Sequence, residues 1–380
     1  LHPLPLMTPI PPLGARPSHR LVSLDVFRGL IMFLLVAEAA EVYDALGDAA
    51  AGTPWLKGIV QQFHHHPWNG LRFWDLIQPF FMFIVGVAMV FSLQRRRDRG
   101  EAWGQTLRHI VTRCALLLAF GVGLHCVYAG ELVWELWNVL SQLSVTILVA
   151  FLLFNLPFRT QLIISLALLG LTEVLYRTFP IPGFDQPFVQ GQNFGAYMDT
   201  VLMGKINGGG WVAINALPTS AHTIWGVLAG KWLREDRPAA EKIRALLLWG
   251  AAGLAVGYGL DGAGVTPIIK RICTSSFVLV SGGWCLVALA AVYALVDVKG
   301  YRRFAPFFVV IGANSIFIYL FSETVGKQWV NGFVGIFTNG VLAWIHTPEV
   351  LAAVVTAFTV LLLEWGLCLA LYRRGWFFKV

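Results

Sequence analysis

Residues 76–99 read LIQPFFMFIVGVAMVFSLQRRRDR, an apolar stretch that is followed at once by a basic cluster. No residue from Leu76 to Leu93 is charged, and about 18 such residues are enough to cross the hydrocarbon core of a bilayer as a helix. Basic residues next to a span are typical of its cytoplasmic end. The stretch therefore predicts a transmembrane helix that reaches the cytoplasm near Arg95.

The composition of the whole chain supports the same prediction. Of the 380 residues, 57% are hydrophobic and 13% are charged, whereas a soluble domain has roughly 45–50% apolar and about 25% charged residues. A water-soluble fold of this size cannot hide so much apolar surface, and the composition also excludes disordered, collagen-like and coiled-coil chains. We therefore predict an all-α integral membrane protein, a polytopic bundle of about ten transmembrane helices.

Ten apolar windows are predicted to form the helices of this bundle. They cover residues 22–44, 72–93, 106–128, 134–156, 162–179, 213–233, 245–263, 274–297, 305–326 and 349–372. The stretch 330–346 is apolar but is interrupted by glycine and asparagine, which favours a re-entrant or interfacial segment. Residues 1–20 are rich in proline and are predicted to be a disordered cytoplasmic arm before a single membrane domain, 21–380.

The distribution of basic residues predicts the orientation of the bundle. With a cytoplasmic N-terminus, 20 of the 28 lysines and arginines fall in cytoplasmic segments and 7 in outer ones. Because basic residues are enriched in cytoplasmic loops, both termini are predicted to be cytoplasmic, and the net charge of +7 reflects topology rather than nucleic-acid binding. The two long outer loops are 45–70 and 180–211, and the aromatic residues of the second favour an ordered loop that covers a site.

Polar groups inside a bilayer are costly and are therefore candidates for function. Asp25 and Arg28 are three residues apart on one face of the first predicted helix. They form either a structural ion pair at the cytoplasmic mouth or a site where Arg28 meets an anionic ligand. Glu38, near the outer end of the same helix, is either solvated or part of a site.

The densest polar segment is residues 64–81, HHHPWNGLRFWDLIQPFF, at the outer end of the second window. A neutral imidazole there can act as a general base toward an amine or a hydroxyl, and Asp75 and Gln78 are expected to face the bundle interior. An interfacial cluster in water is the alternative, but the Trp-Asn-Gly turn and the following acid favour function. Adjacent histidines are poor tetrahedral ligands and the cysteine spacing matches no metal pattern, so no metal is expected.

At this point a family resemblance becomes visible. The segment His65-x-x-Trp-Asn-Gly-Leu-x-x-x-Asp75 resembles the heparan-α-glucosaminide N-acetyltransferase family of membrane acyltransferases. Further segments resemble the family in the same order along the chain. They are residues 23–29, 138–143, 219–230, 270–278 and 312–316.

The resemblance implies transfer of an acetyl group from cytoplasmic acetyl-CoA to an amino sugar on the luminal side. The family's essential histidine stands three residues before Trp-Asn-Gly, which is His65 here. Asp75 would orient this histidine and tune its charge, or hold the acceptor. The other predicted binding residues are Arg28, Glu38, Trp68, Asn69, Gln78, Lys270, Ser275, Asn314 and Ser315. Asn69 or Asn314 would supply an oxyanion partner. Ser275, Asn314 and Ser315 contact the pantetheine arm or, as the alternative, bond between helices, and Lys270 holds an anionic acceptor or flanks its span.

The chain also departs from the family pattern. The asparagine that the family has late in the first span is replaced by Glu38-Ala39, and the Gln-Arg pair of the fourth span is Ser141-Gln142. The luminal domain that precedes the first span of the animal enzyme is not present in this sequence. The resemblance is therefore to a bacterial-type member, for which heparan sulfate is not the expected substrate.

The predicted function is that of an acetyl-CoA-dependent N- or O-acetyltransferase in a bacterial inner membrane. Its predicted partners are acetyl-CoA, a small sugar or glycan acceptor and the lipid bilayer, with a homodimer as an option and no nucleic acid. Direct transfer with His65 as base and a ping-pong route through acetyl-histidine both stay open. The alternatives are a transporter or flippase that moves a polar solute past Glu38, Asp75 and Gln78 without covalent chemistry, and a membrane sensor.

Overall fold

Every regular element is helical in the computed structural model, which describes residues 21–378. The predicted arm, 1–20, lies outside the described residues. In chain order the α-helices are α1 (Val22–Ala39), α2 (Val42–Ala49), α3 (Pro54–Val60), α4 (Ile77–Asp98), α5 (Trp103–Ala129), α6 (Val139–Leu153), α7 (Phe158–Thr178), α8 (Phe194–Met203), α9 (Ala216–Arg234), α10 (Ala239–Gly262), α11 (Ser275–Tyr293), α12 (Ala305–Ala313), α13 (Ser315–Phe321), α14 (Asn331–Trp344) and α15 (Glu349–Arg373).

The helices support a membrane protein but do not reach the ten predicted spans. Within residues 21–378, six helices are long and apolar enough to cross a bilayer: α4, α5, α7, α10, α11 and α15, of which α4 and α11 include short adjoining turns. The bent pair formed by α12 and the helix from Ser315 to Trp344 makes a seventh if it counts as one span. Each of the ten predicted windows contains a helix, yet ten crossings and cytoplasmic termini stay predictions.

The predicted spans that fail this test of length and apolarity lie mainly inside the bundle. Helix α1 carries Asp25, Arg28 and Glu38 within its 18 residues, and α6 has only 15 residues. In α9, 14 of 19 residues are buried, whereas α10 has 3 of 24 buried. Neighbouring helices shield α1 and α9 from lipid, so their polar residues meet protein groups instead of hydrocarbon. Burial alone does not decide the outcome, because α4 passes the test although most of its apolar window is buried.

The predicted window 305–326 and the segment 330–346 are joined by continuous helix. The chain stays helical from Ser315 to Trp344, through a π-helical segment at Ser322–Val330. A break lies earlier, at Asn314, where the axis bends by 72° between α12 and the continuous helix Ser315–Trp344. The glycines of 330–346 therefore lie within α14 and do not end it.

Close glycine contacts bring α4 against α9. A Cβ atom placed on Gly86 of α4 would lie 2.1 Å from the carbonyl oxygen of Thr223, and one placed on Gly226 of α9 would lie 2.1 Å from that of Phe83. Only glycine permits backbones this close, as in the small-residue packing of membrane helices. The contact holds α4 next to the polar residues of α9, and Asp75 lies in the short 3-10 turn Phe73–Leu76 that leads into α4.

Candidate active site

Two loops build the site at the N-terminal end of α4. The amide of Gly70 donates to the carbonyl of Ile268 at 2.8 Å, and Asn69 and Ile269 form an isolated antiparallel bridge. Gly70 has φ +134°, and a Cβ there would lie 2.6 Å from the Nε2 atom of His66. Glycine is therefore required at this turn, which joins the segment 64–75 to the segment 266–274.

The junction brings His65, Asp75 and Lys270 together. The Nδ1 atom of His65 lies 3.0 Å from Oδ1 of Asp75 and 3.0 Å from Nζ of Lys270. The Lys270 ammonium lies 3.6 Å from the same carboxylate oxygen. Because Nδ1 is engaged, Nε2 is the nitrogen of His65 that remains for a reacting group.

Backbone groups fix the carboxylate of Asp75. Its Oδ2 atom accepts from the amides of Arg72 at 2.9 Å and His66 at 3.2 Å, while Oδ1 faces His65. The side chain is almost fully buried, at 1% exposed. Asp75 thus holds the imidazole in one orientation, as a carboxylate behind a histidine does in many catalytic and metal sites.

Burial and charge keep His65 neutral. Removal from water, together with the positive charge of Lys270, lowers the pKa of His65 to about 4, although Asp75 acts in the opposite direction. Burial also lowers the pKa of Lys270 to about 8, against the attraction of Asp75. At neutral pH the imidazole is therefore uncharged and able to accept a proton, while Lys270 is mostly protonated.

These residues open onto a cavity of about 350 Å³. That volume lies near the lower end of ligand pockets, which span roughly 300–1,000 Å³. Five of the residues singled out from the sequence line it: Glu38, His65, Gln78, Lys270 and Ser315. The indole of Trp74 donates to Glu38 at 3.1 Å, and the amide of Gln78 donates to Gln142. The histidine of the triple run that lines the cavity is His65.

Besides Asp75, which contacts His65 without lining the cavity, five other predicted residues do not line it. Arg28 pairs with Asp25 at 3.1 Å, as their spacing predicts, and Asn69 supports the loop junction through its backbone. Ser275 donates to Glu173 at 3.0 Å between α11 and α7. The buried amide of Asn314 bonds to the backbone of Trp376 and Phe378, near the end of the described chain. The fifth residue is Trp68.

Trp68 holds the loop 180–211 over the site. Its indole donates to the carbonyl of Phe188 at 2.8 Å. At the end of that loop, Trp211 packs edge to face on His65, with ring centroids 5.4 Å apart. The Nζ atom of Lys270 lies 5.3 Å from the centroid of the Trp211 ring. Asn207 and Trp211 line the cavity. The loop 180–211 thus contains α8 and contributes Asn207 and Trp211 to the wall of the cavity.

Sequence reasoning missed a second group of residues that line the cavity. His125, Tyr128 and Trp137 line it together with Glu323 and Lys327. Tyr128 donates to Glu323 at 2.7 Å, and Lys327 pairs with the same carboxylate at 2.8 Å. His125 gave a usable signal, because it is a histidine near the predicted outer end of an apolar window, the same side as His65.

The arrangement suits proton transfer next to a bound molecule. It has a neutral imidazole, a carboxylate behind it, and hydrogen-bonding groups spread over aromatic walls. Among residues 21–378, no three His, Cys, Asp or Glu side chains are grouped as metal ligands. The imidazole of His65 and the carboxylate of Asp75 are groups of the kind used in acid–base catalysis.

Comparison with known proteins points to one family, although no family model matches the chain. It is 26% identical to the human heparan-alpha-glucosaminide N-acetyltransferase over 373 residues, which covers 80% of this chain and 53% of the human protein. Identity to the mouse protein of the same name is 25% over 380 residues, covering 82% of the chain and 55% of the mouse protein. The chain thus spans about half the length of these relatives. The resemblance based on the motifs is confirmed.

Proposed function

We propose that this chain, whose similarity supports membership of the heparan-α-glucosaminide N-acetyltransferase family, is a membrane acetyltransferase that uses acetyl-CoA. The acceptor is an amine or hydroxyl of a small sugar or glycan on the extracytoplasmic side, and the membrane is a bacterial inner membrane. The observation that carries the proposal is His65, which stands three residues before Trp-Asn-Gly and faces the cavity with Asp75 and Lys270 on its Nδ1 side.

In the proposed reaction the acceptor attacks the acetyl carbonyl directly. A new N–C or O–C bond forms and the S–C bond of the thioester breaks. Nε2 of His65 takes the proton that the acceptor loses and returns it to the departing thiolate of CoA, so the imidazole ends neutral. Asp75 stabilises the imidazolium in between, and such general-base help contributes about 10²–10⁴-fold to the rate.

In the proposed arrangement the donor enters the cavity past Ser315. Ser315 lines the cavity at the start of α13, just after the bend at Asn314. We place the pantetheine arm along this part of the cavity, with the nucleotide toward the predicted cytoplasmic mouth near Arg28. Lys270 and the amide of Gln78 are the donors on the cavity wall that can hold the developing oxyanion.

The test uses the full chain purified in lipid nanodiscs, with radiolabelled acetyl-CoA and glucosamine. His65→Ala should lower kcat for acetyl transfer by at least about 100-fold, because the general base is lost. His64→Ala is the matched control, since His64 faces Asp44 at 3.8 Å and does not line the cavity. Equal activity of both variants would overturn the role of His65. Absence of acetyl transfer by the wild type to every amine and sugar tested would overturn the function.

A further inference from the structure

A second histidine–carboxylate pair faces the same cavity. His125, near the C-terminal end of α5, lines the cavity, and its Nδ1 atom lies 2.7 Å from Oε2 of Glu135. Building on the proposed function, we propose that His125 is the acceptor-binding residue, and that its Nε2 atom accepts a hydrogen bond from a hydroxyl of a polyhydroxylated amine while His65 takes the proton of the amine.

The pair is held rigidly by a loop contact. The side chains of His125 and Glu135 are 15% and 14% exposed. The other oxygen of Glu135 accepts from Lys205, which lies just after α8 in the loop 180–211. Glu135 therefore has a fixed position between the helix and the covering loop, and it holds the ring of His125 in one orientation.

This fixed contact determines which nitrogen of His125 carries the proton. A carboxylate oxygen only accepts hydrogen bonds, so Nδ1 must donate to Glu135 and Nε2 of the neutral ring is left with a lone pair. Among residues 21–378, Nε2 has no hydrogen-bond partner although it is buried. A buried polar atom without a partner is costly, and a donor supplied by a bound molecule removes that cost.

The surroundings of His125 indicate a sugar rather than a simple amine. Its ring packs edge to face on Tyr128 and Trp137, with centroids 5.7 Å and 6.1 Å apart. Trp137 is fixed in turn, because its indole donates to Asp199 at 2.7 Å. Aromatic faces beside a few convergent polar groups suit a ligand with an apolar ring face and several hydroxyls. A purely structural role, in which His125 only fastens the loop 130–138, predicts no preference for hydroxyls.

The experiment compares two amines that differ in their hydroxyl groups. Binding of glucosamine and of cyclohexylamine to the full chain in nanodiscs is measured by isothermal titration calorimetry, for the wild type, His125→Ala and His125→Gln. We expect the alanine variant to bind glucosamine more weakly by on the order of tenfold, because one hydrogen bond is lost, and to bind cyclohexylamine unchanged. The glutamine variant retains an acceptor and should recover part of the affinity. His109→Ala, an exposed histidine on the same helix, is the matched control.

Each other outcome overturns the inference. If His125→Ala loses affinity equally for both amines, His125 has a structural role. If its affinity for glucosamine is unchanged, His125 does not bind the acceptor. A wild type that binds neither amine, or that binds cyclohexylamine as tightly as glucosamine, rules out recognition of hydroxyls. The acetyl-transfer assay is separate, so that transfer to cyclohexylamine at the glucosamine rate would overturn this inference while the proposed acetyltransferase stands.

Discussion

His65 Nδ1 lies 3.0 Å from two groups that make opposite demands on it. Asp75 needs a proton on Nδ1, whereas the ammonium of Lys270 needs a lone pair there. Only the first tautomer leaves Nε2 free to accept a proton. The carboxylate of Asp75 is fixed by two backbone amides. His65 can act as the proposed general base only in the tautomer in which Nδ1 donates to Asp75.

Lys270 is expected to set the lower pH limit of the reaction. His65 works only when neutral, and its pKa is lowered to about 4 by burial and by Lys270. In Lys270→Gln that positive charge is absent, so the pKa of His65 rises and the neutral form is lost at a higher pH. The ratio of kcat/KM for the variant to that for the wild type should therefore fall between pH 8 and pH 4.

Protonation of the acceptor amine changes kcat/KM of both proteins by the same factor, so its effect cancels in the ratio. The measurement is acetyl transfer to glucosamine over this pH range, with Arg271→Gln as a comparison, because Arg271 acts on His65 more weakly than Lys270 does. A ratio for Lys270→Gln that stays constant with pH would contradict the electrostatic role of Lys270.

At the residue scale, local spacing predicted part of the site. His65 and Asp75 are ten positions apart in one loop and were recognised together, and Glu38 and Gln78 were singled out as intramembrane polar groups. Asn314 looked similar by the same criterion, yet its amide bonds to backbone near Trp376. Polarity within an apolar window identifies a buried group, but it does not say whether that group faces a cavity or a neighbouring backbone.

At the scale of the elements, the contact between α4 and α9 is the most demanding. Gly226→Val places two methyl groups where a single Cβ would already lie 2.1 Å from the carbonyl oxygen of Phe83. The helices must separate, so we expect a loss of at least about 1–3 kcal/mol of stability, as for other overpacked interiors. The measurement is the midpoint of thermal unfolding in detergent.

The control for this substitution is Gly123→Val in α5. A Cβ on Gly123 meets no atom within 4 Å, so the helix-propensity change is similar but no contact is strained. The midpoint of Gly123→Val should stay close to that of the wild type. A Gly226→Val midpoint as high as that of the control would show that α4 and α9 tolerate separation.

Helix boundaries were predicted well where apolar residues face outward. The windows 106–128 and 349–372 fall almost wholly within α5 and α15, because hydropathy is what contact with lipid selects. The window 305–326 missed both the bend at Asn314 and the helix that continues to Trp344. Those features follow from packing between helices, to which a sliding average of hydropathy is insensitive.

At the scale of the whole molecule, the orientation of the bundle is open to a direct test. The charge bias predicts that position 64 faces outward and position 99 faces the cytoplasm. In intact cells, His64→Cys should react with a membrane-impermeant thiol reagent, whereas Arg99→Cys should react only after permeabilisation. Both positions are at least partly exposed. The unsubstituted chain, which has five native cysteines, is the control for background labelling. The reverse pattern would invert the topology and place His65 on the side of the acetyl-CoA pool.

By itself, the sequence determined that this is a helical membrane protein and that His65 lies beside an acid at the start of a helix. Both features are local, because the length of an apolar stretch and the spacing of ten residues between two side chains can be recognised in the sequence without knowing which distant residues are in contact. Only the tertiary structure decided which of three adjacent histidines faces the cavity, that Lys270, 205 residues away in sequence, contacts this histidine, and that His125 lines the same cavity. These facts depend on how helices and loops pack, and residues far apart in sequence carry no local signal of the distance between them in space.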